Sequence, residues 1–131
     1  MKGNVVAPVS VLEHTECGSL NADRMAELYV ELGQSAAEGA VCRALEDLSE
    51  CLHRISAECI ADDLKGVKQS AREMIATADH VGMHKLANIA RDVEAVAARY
   101  DYAAVGGTVG RLLRVGESSL TSVWDLKELL L

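Results

Sequence analysis

The chain has 131 residues, 50% of them hydrophobic and 25% charged, enough for one domain with a buried core and too short for two of ordinary size. Thirteen Lys and Arg against 20 Asp and Glu give a formal charge of −7. That balance excludes the basic face a nucleic-acid partner needs, and no run approaches the roughly 18 consecutive apolar residues of a membrane span.

Phe is absent, and one Trp and three Tyr are the only aromatics. The core must therefore come from Ala, Val, Leu, Ile and Met, the mixture expected of packed helices. Residues 1–20 show no sustained period: Pro8, Gly18 and scattered polar residues mark an arm, with Val5–Val11 its only strand-like run. Met1-Lys2-Gly3-Asn4 and the short apolar stretch behind it make a poor signal peptide. Cys42, Cys51 and Cys59 fall on one predicted helix at spacings too long to bridge each other. With Cys17 they read as free thiols of a cytoplasmic protein, Cys42 and Cys59 filling the core and Cys51 more exposed.

From Asn21 to the C-terminus the pattern is that of one helical domain. Asn21 caps a short helix over 22–32 that Gly33 stops. Ser35-Ala36-Ala37-Glu38 has the form of a capping box ahead of a long helix over 36–60. Val41, Leu45, Leu48, Leu52, Ile55 and Cys59 form one stripe along it at the helical period, and Glu50 is placed to support Arg54. Asp62 or Asp63 caps a third helix over 63–80, with Leu64, Val67, Ala71, Met74, Ala78 and Val81 as its seam and Gly82 as its stop. A fourth helix over 84–99 carries Leu86, Ile89, Val93, Val96 and Tyr100. Asp101 caps a fifth, with Val105, Val109 and Leu112 inward. Gly106, Gly107, Gly110 and Gly116 predict a bend there or close helix contacts. Ser118 or Ser119 through Leu131 forms a last piece anchored by Trp124. The fold class is all-α: an antiparallel four-helix bundle with an N-terminal arm and short helix (1–20, then the start of the 21–131 domain) and a C-terminal helical extension.

Residues 82–94, Gly-Met-His-Lys-Leu-Ala-Asn-Ile-Ala-Arg-Asp-Val-Glu, resemble a stretch of the histidine-containing phosphotransfer (HPt) domains. That family has there a Gly, then Leu-Ala-x-x-Ala-x-x-Leu-Glu opening a helix. Leu32-Gly33 ahead of the long helix fits as well, and the resemblance spans residues 25–120. It implies a four-helix module that passes a phosphoryl group between receiver domains of bacterial phosphorelays. The family's motif, roughly Ala-His-x-Leu-Lys-Gly-Ser-Ala, has its His ten residues before the helix-ending Gly. Here that register falls on Ala71-Arg72-Glu73-Met74-Ile75-Ala76-Thr77-Ala78. Arg72 stands in the place of the phospho-accepting His, Ile75 of the Lys and Ala76 of the Gly. A rival register through Asp62-Asp63-Leu64-Lys65-Gly66 fails, because its helix-ending Gly would fall at Arg72 within the seam.

The departure is chemical. A relay needs an imidazole nitrogen that attacks an aspartyl phosphate, whereas a guanidinium stays protonated and offers no lone pair. The reading is therefore a degenerate, non-catalytic HPt-like protein that docks a receiver domain or a histidine kinase without carrying phosphate. Its expected interaction surface is Lys68, Gln69, Arg72, Ile75, Ala76 and Asp79, an apolar centre with a charged rim. Two alternatives stand beside it: an active phosphotransfer protein using His80 off register, or a structural bundle, dimerising through the Gly-bearing helix or Trp124. His14, His53 and His84 read as surface histidines. His80 and His84 have metal-ligand spacing only on a continuous helix, which Gly82 breaks, so neither metal nor cofactor is expected. Gly106-Gly107-Thr108-Val109-Gly110 lacks the Lys-Ser/Thr ending of a phosphate loop.

Overall fold

The computed structural model of the protein describes residues 21–130; the expected arm over 1–20, with its strand-like run, His14 and Cys17, lies outside the described residues. Five helices follow in order: α1 (Ala22–Leu32), α2 (Gln34–Ile60), α3 (Leu64–His80), α4 (His84–Ala98) and α5 (Tyr102–Leu130). Helices α2 to α5 each pack on the next, and α5 returns onto α2 to close a four-helix ring. Side-chain contacts such as Arg54 with Glu73 and Glu58 with Ser70 run in opposite order on α2 and α3, the antiparallel register that short connections impose.

The stripes read from the sequence are the core. Val41, Leu45, Leu48, Leu52 and Ile55 on α2, all six seam residues from Leu64 to Val81, Leu86, Ile89, Val93 and Val96 on α4, and Val105, Val109 and Leu112 on α5 are buried. Each fully buried Leu, Ile, Val or Met contributes about 1.5–3 kcal/mol through its removal from water.

Three turns join the bundle, and they share one backbone solution. After α2, Asp62 takes φ 55°, its N–H donates to the Cys59 carbonyl at 3.1 Å, and Asp63 N–H donates to Glu58 at 2.8 Å. After α3, Gly82 takes φ 82°, with Gly82 N–H on Asp79 at 3.1 Å and Met83 N–H on Ala78 at 2.8 Å. These paired bonds satisfy the last carbonyls of each helix. After α4 the left-handed residue is Tyr100, at φ 56°. Tyr100 was expected on the α4 seam; it instead closes the turn, and its side chain is 66% exposed. Only Gly is free of steric cost in this region, so a stop carried by Asp or Tyr leaves no glycine signal in the sequence.

Asn21, Asp63 and Asp101 cap their helices as expected, accepting from the N–H of Arg24 at 2.9 Å, Gly66 at 3.0 Å and Ala104 at 3.1 Å. Elsewhere the structure corrects the reading. Gly33, at φ 84°, is itself the N-cap of α2 and no side chain caps that helix. Ser35 and Glu38 lie inside it, so the capping box does not form. Arg54 turns away from Glu50 to bond residues of α3. Cys51, expected to be the more exposed thiol, is the buried one, because α3 packs over its side of α2; Cys42 is only half-buried, and Cys59, half-buried, packs against the core. The expected last piece is no separate element: α5 runs unbroken from Tyr102 to Leu130. Close packing holds at Gly116, where a Cβ would meet the Leu52 methyls at 2.8 and 2.9 Å, while Gly106 and Gly107 face open space.

α1 packs on α2 and ties its N-terminus over the α3–α4 turn. Leu28 is buried, the Asn21 N–H donates to the Gly82 carbonyl at 2.9 Å, and Arg24 Nε donates to the His80 carbonyl at 2.8 Å.

Candidate functional site

Each side of α3 faces a neighbour, and polar side chains line both seams. Toward α2, Arg54 donates to Glu73 Oε1 at 2.8 Å and to Ser70 Oγ at 3.4 Å, and its Nη2 lies 3.2 Å from Cys51 Sγ. Ser70, itself buried, donates to Glu58 Oε1 at 2.8 Å. Burial pushes the Cys51 thiol up from its ordinary pKa; Arg54 opposes the shift without overcoming it, and Glu73 and Asp47 add to it. The thiol stays protonated and is a poor nucleophile.

Toward α4, Arg72 Nε donates to Glu94 Oε2 at 2.7 Å, with the arginine side chain 59% exposed. One turn and two turns further along, Ile75 packs partly against the core, and Asp79 accepts from Arg91 and from His84 Nδ1, the latter at 3.0 Å. Asp79 is partly desolvated, which raises a carboxyl's pKa, but the hydrogen bonds from His84 and Arg91 and their charges outweigh this and leave it below its ordinary value.

The six residues expected to share one surface therefore divide. Gln69, Arg72 and Ala76 point outward and are exposed. Lys68, Ile75 and Asp79 are half-buried, Ile75 among core side chains and Asp79 in its ion pairs. The outward face continues on the other side into a shallow open groove between α2 and α3. Ala40, Ala44, Ala76 and Thr77 lie along it, with Arg43, Asp47 and His80 at its edges. The α2 contribution, and Glu94 as the partner that orients Arg72, were not found from the sequence. The helical period gives the outward angle of α3 but not which neighbour flanks it.

The histidines also separate. His80 is exposed, with Arg24 Nη2 3.5 Å from its Nδ1, and among the described residues no carboxylate pairs with it. His53 Nδ1 meets the Ser49 carbonyl at 2.9 Å. His84, read from the sequence as an ordinary surface residue, is the one histidine among the described residues that pairs with a carboxylate. The Gly82 turn separates His80 from His84, and among the described residues no group of three or more His, Cys, Asp or Glu is placed to hold a metal ion. Among them, too, no helix is long and apolar enough to cross a membrane.

Residues 64–98, which make α3 and α4, carry five of the 13 Lys and Arg but only four of the 20 Asp and Glu. The outward face of α3 thus stands on a near-neutral pair of helices in an otherwise acidic protein. No family model matches the sequence, and no curated protein matches it. Among solved structures, the crystal structure of histidine-containing phosphotransfer protein B (HptB) from Pseudomonas aeruginosa PAO1 superposes with a TM-score of 0.74 over 83% of this chain and 95% of that one, at 15% identity. The chain has the HPt fold. At this identity the likeness is one of architecture, reached by helix lengths and seam positions with few residues in common.

Proposed function

We propose that the protein is a docking module of a bacterial phosphorelay, engaging a response-regulator receiver domain or a histidine kinase through the outward face of α3 without carrying a phosphoryl group on that face. The HPt fold supports the setting. The observation that carries the reading is Arg72: at the register of the acceptor imidazole stands an exposed guanidinium whose Nε is held by Glu94 at 2.7 Å. A guanidinium has no lone pair to offer phosphorus and no accessible neutral form. What it offers is a fixed cation with its remaining N–H groups turned outward, suited to an acidic, carboxylate-lined pocket. Ile75 and Ala76 support the same reading, since neither supplies the second cation that would hold phosphoryl oxygens.

Binding of the full chain to receiver domains and kinases encoded in the same genome, measured by calorimetry, tests this. A micromolar or tighter complex is expected with at least one of them. Arg72→Glu is expected to weaken it at least about tenfold, by placing like charges across the contact, while circular dichroism stays unchanged. Failure of every receiver and kinase to bind, or equal affinity of the Arg72→Glu variant, would overturn the reading.

A further inference from the structure

The shallow groove between α2 and α3 opens beside the point where residues 1–20 join the bundle. It is lined by the small side chains of Ala40, Ala44, Ala76 and Thr77, with Arg43 and His80 at its edges. The first turn of α1 is bound to that rim. Arg24 Nε donates to the His80 carbonyl at 2.8 Å, and Arg24 Nη2 lies 3.5 Å from His80 Nδ1. The Asn21 N–H donates to the Gly82 carbonyl at 2.9 Å. Whatever precedes Asn21 therefore starts at the mouth of the groove.

The sequence there matches what the groove presents. Residues 5–12, Val-Val-Ala-Pro-Val-Ser-Val-Leu, have Ser10 as their only polar member. Pro and β-branched residues favour an extended chain, slim enough for a shallow groove with small walls. From Ala40 to Asp47 the groove runs about 10 Å at the helical rise, so about three or four extended residues fill it. The linker over residues 13–20 reaches up to about 26 Å, further than the groove is long. Charge agrees as well. Arg43 is exposed and takes part in none of the ion pairs among the described residues, and Glu13 directly follows the apolar run.

We propose that residues 9–12 occupy the α2–α3 groove of their own chain, with Glu13 against Arg43, as an autoinhibitory cover beside the docking face. The tether makes the contact intramolecular, at an effective concentration in the millimolar range for a short linker, so a modest apolar contact suffices. Ala76 belongs both to the groove and to the outward face of α3, so a seated arm and a partner on that face exclude each other. This exclusion rests on the docking reading; the seat itself does not.

The test is photocross-linking of the full chain carrying Ser10→p-benzoylphenylalanine, followed by intact-mass measurement and peptide mapping. A product of monomer mass is expected, with cross-links to residues 40–47 and 73–80. Arg43→Glu is expected to cut their yield at least about fivefold with circular dichroism unchanged, by setting like charges against each other. Adding Glu13→Arg is expected to restore part of that yield, a rescue that simple loss of stability does not produce. In the chain without the cross-linker, Val9→Asp with Val11→Asp is expected to raise partner affinity about fivefold, the gain when an arm seated in about four chains of five is released. No cross-link to either helix, a product of dimer mass, which would place a second copy's arm in the groove, or a yield indifferent to Arg43→Glu would each overturn the proposal. Failure of every receiver and kinase to bind would overturn the docking reading and leave the monomer cross-links standing. A partner that binds the wild type and the Val9→Asp, Val11→Asp chain equally well would overturn the cover and leave the docking reading standing.

Discussion

Along the α2–α3 seam, Arg54, Ser70, Glu58 and Glu73 close on one another, and the buried hydroxyl of Ser70 has its hydrogen bond made. Along the α3–α4 seam, similar residue types meet with no buried hydroxyl between them: Arg72 with Glu94, and Arg91 and His84 with Asp79. The first set spends its hydrogen-bonding capacity on holding two helices together. The second leaves atoms over: the remaining N–H groups of Arg72 and the Nε2 of His84. Ser70 decides the difference: it is the one buried side chain of the two sets, and a polar group taken out of water must be satisfied by protein, whereas the charged residues of both seams stay partly in water.

Substitutions in the two seams should therefore differ in what they break. As a reference for full burial, Met74→Ala, at a core position with 0% exposure, is expected to cost about 2–5 kcal/mol in urea unfolding; a cost near zero would mean the core is not packed as described. Ser70→Ala is next, at about 1 kcal/mol, because it strands the Glu58 and Arg54 partners of a buried hydroxyl. Arg72→Ala is expected to change stability by less than about 0.5 kcal/mol, as exposed ion pairs do, while weakening partner binding. If Arg72→Ala proves as destabilising as Ser70→Ala, the contrast between the seams fails.

The seams should also separate by pH. Asp79 has a folded-state pKa below its ordinary value of 3.8, so its contribution to stability is complete above that value and is lost as pH falls through the lower, folded one. Asp79→Asn is expected to lose stability near neutral pH and to flatten the acid limb of the stability profile, whereas Ser70→Ala shifts the profile without reshaping it. Identical acid limbs for wild type and Asp79→Asn would refute this. The one change expected to stabilise lies outside both seams. Tyr100→Gly should stabilise the protein by up to about 1 kcal/mol by removing the steric cost of a left-handed tyrosine, and a measured loss would show that the Tyr100 ring has packing that its exposure conceals.

The stripes on α2, α3, α4 and α5 were legible because a helix that buries one face must repeat its apolar residues at the helical period. The outward placement of Arg72 was legible from the apolar seam on the other side of α3. The turn at Tyr100 was not, since a left-handed residue other than Gly carries no mark. The burial of Cys51 was missed because Cys42, Cys51 and Cys59 lie at different angles on α2, and only the packed neighbour decides which angle is inside. His84 was missed because its significance depends on Asp79, five residues earlier across a reversal of chain direction.

Length, charge and apolar period thus determined by themselves that this chain is a helical bundle, and the residues near Gly82 pointed to the fold it has. Those are local properties, written in spacings of three and four residues. Which carboxylate meets Arg72, which histidine is given a carboxylate, and which thiol is shut away were decided by the tertiary structure alone. Each depends on the rotation of one helix about its axis against another, and that rotation is set by the packing of the whole core.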